Sequence, residues 1–425
     1  MKPKLNFWIV LAIILALLIL QGYLHDKSIE RTIYFLIILV IISFFLTKNS
    51  TTKLSLKRST RENRQQVGQY FTEKYEVSNQ KLLPILWIAI EDKSGLSSEN
   101  EKRLIAWIPG NSTKVFVKQS ILDKRGVFTL GPTKVLSGDP FGIFTQAVTF
   151  QSNDKLVVIP SYEKLKSFPE PLSSLTGGAA HKSRDTEVSP YAVSIREFYP
   201  GDPLRRIDWK STARLNKLMV KEFEEDPQAI VWILLDGNDE VHYRIIKQEL
   251  SETEKKQQVL FEKLERREFN LPEDTFEYAV SFAASICEYY IDNGRSIGFG
   301  ANCQSSIGIA PERGTRQLDK VLEILSSLSV APFAKYPEFL VSQSNLIQKG
   351  SSVILLTSNT GTDFIQAIGL LNRRNISVIL VSINPKEFGN TENTNSFYDV
   401  VKSMDLKLME IRMGEKLSDK LYQLR

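Results

Sequence analysis

The run "AIVWILLD", residues 229–236, decides the fold of the C-terminal half of the chain. An unbroken apolar run that ends in an acid is typical of a β-strand buried on both faces. The runs "SSVILLTSN" and "ISVILVSI" follow the same pattern, and "TRQLDKVLEILSSL" and "DFIQAIGLLNRRN", which have helical periodicity, lie between the apolar runs. Strands that alternate with helices predict a mostly parallel, doubly wound α/β sheet.

Polar residues follow these strands at the edge where such sheets bind ligands. Asp236, Asn238 and Glu240 come at i, i+2 and i+4, Thr275 begins a predicted helix, and Ser358 follows a later strand. This order resembles a von Willebrand factor A domain, in which a D-x-S-x-S loop, a threonine and a later aspartate bind a divalent cation. The resemblance implies a Mg²⁺ site, because hard cations prefer carboxylate and hydroxyl oxygens.

The chain departs from that pattern at three positions. Asn238 and Glu240 replace the serines, and Ser358 stands where the later aspartate is expected. Asp236 therefore has a second interpretation, as a strand-end carboxylate that accepts backbone hydrogen bonds.

The stretch "REFYPGDPLRRIDWKSTAR", residues 196–214, resembles the signature of domain-of-unknown-function family fifty-eight, R-x-Y-x-x-G-D-x-x-R-x-I-x-W-x-x-[ST]-A-R. Phe198 replaces the usual tyrosine, and Asp208 stands where histidine is common. The family places a von Willebrand A-like sheet after the signature, and its members are often encoded beside MoxR-type AAA+ ATPases. The resemblance covers nearly the whole chain and implies such an ATPase as the partner. The candidate binding residues of the signature are Arg196, Gly201, Asp202, Arg205, Arg206, Asp208, Trp209 and Arg214.

The signature also has a local physical interpretation. Residues 200–203 predict a tight turn, and Asp202 is placed to cap a helix that runs on through residue 214. Arg206, Lys210 and Arg214 then share one stripe of that helix, at i, i+4 and i+8. The stripe predicts a basic docking face for an acidic partner. The alternative is that Asp202, Asp208 and the acids of residues 222–226 neutralise these cations within the fold.

Two apolar runs near the start, residues 5–20 and 33–46, predict two transmembrane helices. Basic residues cluster before the first run and after the second, so we expect both termini on the cytoplasmic side of the plasma (inner) membrane. A signal peptide is the alternative for the first run, although no small-residue cleavage site follows it.

The remaining chain divides by composition. Residues 48–69 form a basic juxtamembrane segment, and residues 70–160 carry short alternating runs that predict a small β-sandwich-like domain. Residues 161–189 predict a linker, and residues 190–425 comprise the signature and the α/β domain. Residues 239–270 are densely charged and predict an exposed helical excursion, or a partner-docking arm. Within the β-rich domain, Asp139 is interpreted as a turn former.

Composition limits the functional classes. The net charge of +5 comes from 54 basic and 49 acidic residues, which does not favour nucleic-acid binding. Cys287 and Cys303 do not form a zinc motif or a disulfide scaffold. The sequence contains no phosphate-binding lysine loop and no G-x-S-x-G motif. Together with the signature and the predicted cytosolic orientation, these absences favour a membrane-anchored adaptor or assembly factor over an enzyme. The alternatives are a metal-dependent membrane enzyme that uses Asp236, and a β-rich domain that is itself the binding module.

Overall fold

The computed structural model describes residues 2–96, 102–169, 192–199, 204, 207–223, 230–245, 271–391, 394–404 and 406–416. Contacts divide the chain into two compact units, Met1–Ile159 and Pro160–Arg425. The limits predicted from the sequence for the juxtamembrane segment, the β-rich domain, the linker and the α/β domain stay predictions.

Two antiparallel helices begin the first unit, α1 (Leu5–Leu24) and α2 (Lys27–Ser50). Each is long and apolar enough to cross a membrane. His25 ends α1 in the left-handed region, and the Asp26 carboxylate caps α2 by accepting a hydrogen bond of 2.8 Å from the Ser28 N–H. Because of this cap, α2 begins before the predicted apolar run of residues 33–46.

The rest of the first unit is built of β-strands. Lys2–Pro3 (β1), Phe144–Phe150 (β10), Thr133–Gly138 (β9), Ile85–Asp92 (β5) and Lys102–Ile108 (β6) form a five-stranded sheet in that order. Two further sheets have three strands each, in the orders β2 (Leu54–Thr60), β4 (Tyr70–Asn79), β7 (Ser112–Ile121) and β3 (Arg64–Gln66), β11 (Lys155–Ile159), β8 (Gly126–Thr129). Leu54, Val77, Ile88, Ile108 and Val135 share one buried core between the first two sheets.

The helices are joined to this β-rich region at the loop between β9 and β10. The Asp139 carboxylate accepts hydrogen bonds from the Ile143 and Phe144 N–H groups, at 2.8 and 3.0 Å, which confirms its role as a turn former. Asn6 donates to the Phe141 carbonyl at 3.2 Å, and the ring of Phe7 lies 5.2 Å from that of Phe144. The loop of residues 139–143 therefore lies beside the first turn of α1.

The described part of the second unit contains a six-stranded sheet that confirms the mixed α/β class. Its strand order is β16, β15, β14, β17, β18, β19, and every neighbouring pair is parallel except β15 with the edge strand β16. The strands are β14 (Ile230–Asp236), β15 (Ser296–Asn302), β16 (Ser306–Glu312), β17 (Ser352–Thr357), β18 (Ser377–Ile383) and β19 (Lys407–Ile411). The helices around the sheet are α4 (Thr275–Asp292), α5 (Thr315–Ser327), α6 (Tyr336–Ser344), α7 (Thr362–Arg373) and α8 (Asn395–Ser403). Short 3-10 turns lie at Asp239–Val241 and Pro385–Phe388.

The strand β14 is buried along its whole length, as the apolar run predicts. Trp232 and Leu234 pack in one core with residues of α6, α7 and α8. Because side chains alternate along a strand, Ile233 and Leu235 face the other side of the sheet, where α4 contacts β14. Helices thus cover both faces of the sheet. Because β14 is one of the two middle strands, its C-terminal end lies near the centre of the sheet edge.

The signature segment forms an antiparallel hairpin, β12 (Ala192–Glu197) with β13 (Met219–Phe223), and a short helix, α3 (Trp209–Leu215), lies between the two strands. The predicted helix from Asp202 is wrong over residues 207–208, because Ile207 forms a bridge with Val220 and Asp208 is extended. The predicted turn at residues 200–203 lies outside the described residues, as do Arg205 and Arg206. Residues 246–270 of the predicted excursion also lie outside them.

Candidate functional site

Four of the five predicted metal ligands converge at one edge of the sheet. Asp236 ends β14, Asn238 follows it, Thr275 begins α4, and Ser358 follows β17. All four side chains are buried, and Asp236 is 0% exposed. Glu240 does not join them, because its side chain is exposed and only its N–H reaches the cluster, donating to the Asn238 side-chain oxygen at 3.0 Å. We call Asp236, Asn238, Thr275 and Ser358, together with His242, the strand-end cluster.

Sequence analysis missed His242, whose imidazole ring lies at the centre of this cluster. Its Nε2 atom is 2.9 Å from the Asp236 carbonyl oxygen, and its Nδ1 atom is 2.9 Å from Thr275 Oγ1 and 3.3 Å from Ser358 Oγ. A carbonyl oxygen can only accept, so Nε2 carries the hydrogen and Nδ1 accepts from a hydroxyl. Burial lowers the pKa of His242 to about 4, so the ring is neutral at pH 7.

The carboxyl group of Asp236 is also held by hydrogen bonds. The Asn238 N–H donates to Oδ1 at 3.1 Å, and the Thr357 hydroxyl donates to Oδ2 at 2.6 Å. Burial raises the pKa of Asp236 to about 7, although these two hydrogen bonds oppose the shift. The interpretation of Asp236 as a strand-end acid that accepts a backbone hydrogen bond is therefore confirmed.

In this arrangement the residues do not fit a Mg²⁺ ion. Such an ion needs about six oxygen ligands in octahedral geometry. Both carboxylate oxygens of Asp236 already accept hydrogen bonds, the Ser358 hydroxyl donates to the Val241 carbonyl, and the neutral ring of His242 lies among the hydroxyls. Among the described residues, no group of three or more His, Cys, Asp or Glu side chains is placed to hold a metal. The Mg²⁺ site stays a prediction.

The signature segment differs from the cluster because its helix faces solvent. Trp209 is 68% exposed, and Lys210 and Arg214, one turn apart on α3, are exposed as well. Neither cation forms an ion pair with a described residue. Other large apolar side chains around the helix are also exposed, namely Tyr199, Leu204, Leu215 and Leu218. We call these seven residues the signature face.

The described acids of the segment have partners of their own. Asp208 accepts a hydrogen bond from the Ser211 hydroxyl at 2.7 Å, which lowers its pKa, and Lys221 lies 4.0 Å away. Glu197 pairs with Lys217 at 2.7 Å. Neither acid neutralises Arg214. The other predicted neutralising acids, Asp202 and the side chains of residues 222–226, lie outside what the structure describes.

The eight predicted signature residues thus divide into two groups. Asp208, Trp209 and Arg214 lie on or next to α3, and Arg196 lies on β12 with its guanidinium 5.6 Å from the centre of the Tyr199 ring. Gly201, Asp202, Arg205 and Arg206 are outside the described residues.

These features define a mixed α/β chain with a β-rich N-terminal region and two apolar helices at its start. The family model "Protein of unknown function DUF58" matches residues 194–253, which include α3, β14 and His242. This match confirms the resemblance to the family that the signature at residues 196–214 predicts. It is 22% identical over 321 residues to "Uncharacterized protein YeaD" of Bacillus subtilis, and the match covers 73% of this chain and 71% of that protein.

Two solved structures match part of the chain. The CARDB domain of the PF1109 protein from Pyrococcus furiosus is 11% identical, with a TM-score of 0.18 and coverage of 25% of this chain and 92% of that chain. The superoxide reductase (neelaredoxin) of Ignicoccus hospitalis is 16% identical, with a TM-score of 0.17 and coverage of 24% and 79%. Similarity at this level carries no argument about function.

Proposed function

We propose that this protein is a membrane-anchored adaptor that docks a partner protein on its signature face. Helices α1 and α2 anchor it in the plasma membrane, and both the β-rich region and the second compact unit lie in the cytoplasm. The observation that carries the proposal is the exposure of Trp209, which lies within the segment that the family model matches. Tryptophan and arginine are the residues most enriched in the energetic centres of protein interfaces.

The chemistry of the signature face indicates the kind of partner. Lys210 and Arg214 have no ion-pair partner among the described residues and lie next to an exposed indole, so a partner surface with carboxylates around an apolar pocket is complementary to them. A MoxR-type AAA+ ATPase is our candidate, on the grounds of the family resemblance. In this proposal the C-terminal unit is von Willebrand A-like, and it presents the signature face from a rigid sheet.

The test compares two matched double variants of the full-length protein in detergent. Trp209→Ala with Arg214→Glu alters the signature face, and Leu370→Ala with Arg373→Glu alters an exposed apolar and basic pair on α7. The purified candidate ATPase is added with and without a non-hydrolysable ATP analogue, and bound ATPase is quantified.

We expect nucleotide-sensitive binding that the first variant abolishes and the second retains. Far-UV circular dichroism checks that both variants are folded. If both variants bind the ATPase as the unchanged protein does, the signature face is not the docking site. If the unchanged protein does not bind it, the ATPase proposal fails.

A further inference from the structure

The loops at one end of the β-rich region lie where α2 leads into β2. Leu54, near the start of β2, pairs with Asn79, and Asn79 pairs with Ser112, so the loop of residues 80–84 and the loop of residues 109–111 emerge at this end. The Asn111 N–H donates to the Lys81 carbonyl at 2.7 Å, which joins the two loops. The Gln80 N–H donates to the Lys53 carbonyl at 3.3 Å, which joins the first loop to the connection between α2 and β2.

A buried side chain makes these two loops a rigid unit. The amide nitrogen of Asn79 donates to the Leu83 carbonyl at 2.9 Å and to the Pro109 carbonyl at 3.0 Å. A Cβ atom at Gly110 would collide with the Leu82 carbonyl, so the loops are in close contact there. The backbone that carries the apolar side chains of these loops is therefore fixed.

The third loop at this end, residues 139–143, is fixed to α1. The Lys4 N–H donates to the Ile143 carbonyl at 3.0 Å, and Asn6 donates to Phe141. A helix of 20 residues is about 30 Å long, which equals the thickness of the hydrocarbon core of a bilayer. If α1 crosses that core, its first turn lies at the boundary with the headgroups, and so does this loop.

Large apolar side chains project from this end of the β-rich region. Leu82 is 85% exposed, and Trp107 and Phe141 are each 53% exposed. Leu83, next to Leu82, is exposed as well. We call these four residues the apolar tip. Rigid apolar and aromatic side chains next to a membrane span are suited to the interfacial layer of the bilayer.

Two lysines at the same end have no counter-charge among the described residues. Lys53 and Lys81 form no ion pair with any described carboxylate, and the Nζ atom of Lys81 is buried without a hydrogen-bond partner. Burial and the nearby Lys53 lower the pKa of Lys81. An anion at this place would satisfy both ammonium groups.

We propose that the apolar tip enters the interfacial layer of the same bilayer that α1 and α2 cross, where Lys53 and Lys81 bind the phosphate groups of anionic lipids. This inference rests on the membrane anchoring in the proposed function. It goes beyond anchoring, because it fixes the β-rich region against the membrane surface and gives that region a lipid ligand.

The first experiment measures depth in the membrane with nitroxide labels on single introduced cysteines. Cys287 and Cys303 are buried, so they do not compete for the label. The sites are Leu82→Cys and Phe141→Cys in the apolar tip, Leu15→Cys in α1, and Lys93→Cys at the opposite end of the β-rich region, where Asp92 pairs with Thr133. The full-length protein is reconstituted in vesicles of phosphatidylcholine and phosphatidylglycerol, and collisions with oxygen and with a nickel chelate are compared.

We expect labels at Leu82 and Phe141 to favour oxygen, to a degree between the Leu15 and Lys93 labels. If they match the Lys93 label while the Leu15 label is lipid-exposed, the inference is overturned and the anchor stands. If the Leu15 label is also exposed to water, the anchor of the proposed function fails.

The second experiment tests the lipid ligand. Depth at Leu82 is compared in vesicles with and without phosphatidylglycerol, for Lys53→Gln with Lys81→Gln and for the control pair Lys93→Gln with Lys155→Gln. We expect the Leu82 label to lie deeper when phosphatidylglycerol is present, and the first pair alone to remove that difference. Equal depth in both vesicle types, or loss of the difference in the control pair, would contradict lipid binding by Lys53 and Lys81.

Discussion

The strand-end cluster and the signature face both include residues of the segment that the family model matches, but the cluster is buried and the face is exposed. In the cluster, the polar groups of Asp236, Thr275 and Ser358 are buried and bonded to one another or to His242. In the signature face, Trp209 and Arg214 are exposed, and Arg214 has no described ion-pair partner. The comparison teaches that the position expected to bind a ligand is satisfied by its own neighbours, whereas the described residues of the signature segment leave Arg214 without an ion-pair partner.

The two tryptophans of this region provide the largest contrast. Trp232 is 5% exposed in the sheet core, whereas Trp209 is 68% exposed. We expect Trp232→Ala to lower the free energy of unfolding by about 3–5 kcal/mol, because it leaves a large cavity. Trp209→Ala should change it by less than ~0.5 kcal/mol. Urea unfolding of the full-length protein, followed by circular dichroism, measures both, and a loss of several kcal/mol in Trp209→Ala would show that the signature face is structural.

The pH dependence of stability sharpens the account of the cluster. The carboxyl group of Asp236 ordinarily titrates near 3.8, and its pKa is about 7 in the fold. Between these pH values the folded protein holds a proton that the unfolded chain releases, so Asp236 lowers the free energy of unfolding as the pH rises, by up to ~4 kcal/mol. The pKa of His242 is lowered to about 4, so His242 increases the free energy of unfolding as the pH rises towards about 6.5. The contribution of Asp236 is therefore measured as the difference between the unchanged protein and a variant that lacks this carboxyl group.

Asp236→Asn removes this titration and keeps the shape. The amide oxygen can accept from Asn238, and the amide nitrogen can donate to Thr357 Oγ1. We expect its stability relative to the unchanged protein to increase from pH 4 to 7 and then level off. Asp239→Asn, on the exposed turn that follows, should show no such trend. A flat difference for Asp236→Asn would mean that Asp236 is ionised throughout.

His242→Ala should destabilise the protein by about 2–3 kcal/mol, because it opens a cavity and leaves buried hydrogen-bonding groups without partners. Glu240→Ala, in the same turn but exposed, is the matched control and should have little effect. The measurement is urea unfolding at pH 7. Equal stability of the two variants would show that His242 does not hold the cluster together.

The smallest expected effect is that of magnesium. Since His242 and the backbone satisfy the cluster, Mg²⁺ should change the free energy of unfolding of the unchanged protein by less than ~0.5 kcal/mol relative to a chelator. Thermal unfolding in MgCl₂ and in EDTA provides the comparison. A clear rise in the melting temperature with Mg²⁺ would support the predicted metal site and would require His242 to move aside.

The sequence predicted those elements whose residue pattern is strong. The continuous apolar runs of β14, β17 and β18 are buried strands, and Asp139 forms the expected turn. The edge strand β16 was not predicted, because its residues alternate between exposed and half-buried and carry few large apolar groups. The helices α6 and α8 were also missed, since each is only nine residues long.

The site was predictable only in part. Parallel strands bring their ends to one edge, so the convergence of Asp236, Thr275 and Ser358 follows from their positions after strands and before a helix. The place of His242 does not, because it depends on the 3-10 turn at Asp239–Val241 folding back over the end of β14. The start of α3 was misplaced for a similar reason, as the pairing of Ile207 with Val220 is a contact distant in sequence.

The brevity of α3 has a consequence for attempts to imitate the signature face. A helix of seven residues does not form in isolation, since isolated helices shorter than about 12–15 residues are marginal in water. Here the Thr212 hydroxyl accepts from the Met219 N–H at 3.0 Å, and α3 lies in the connection between the paired strands β12 and β13 and contacts β13. A synthetic competitor of residues 209–215 would therefore be a random coil, and an antibody raised against it would recognise a shape that the protein never presents. A useful mimic must include both strands of the hairpin, β12 and β13, in addition to the helix.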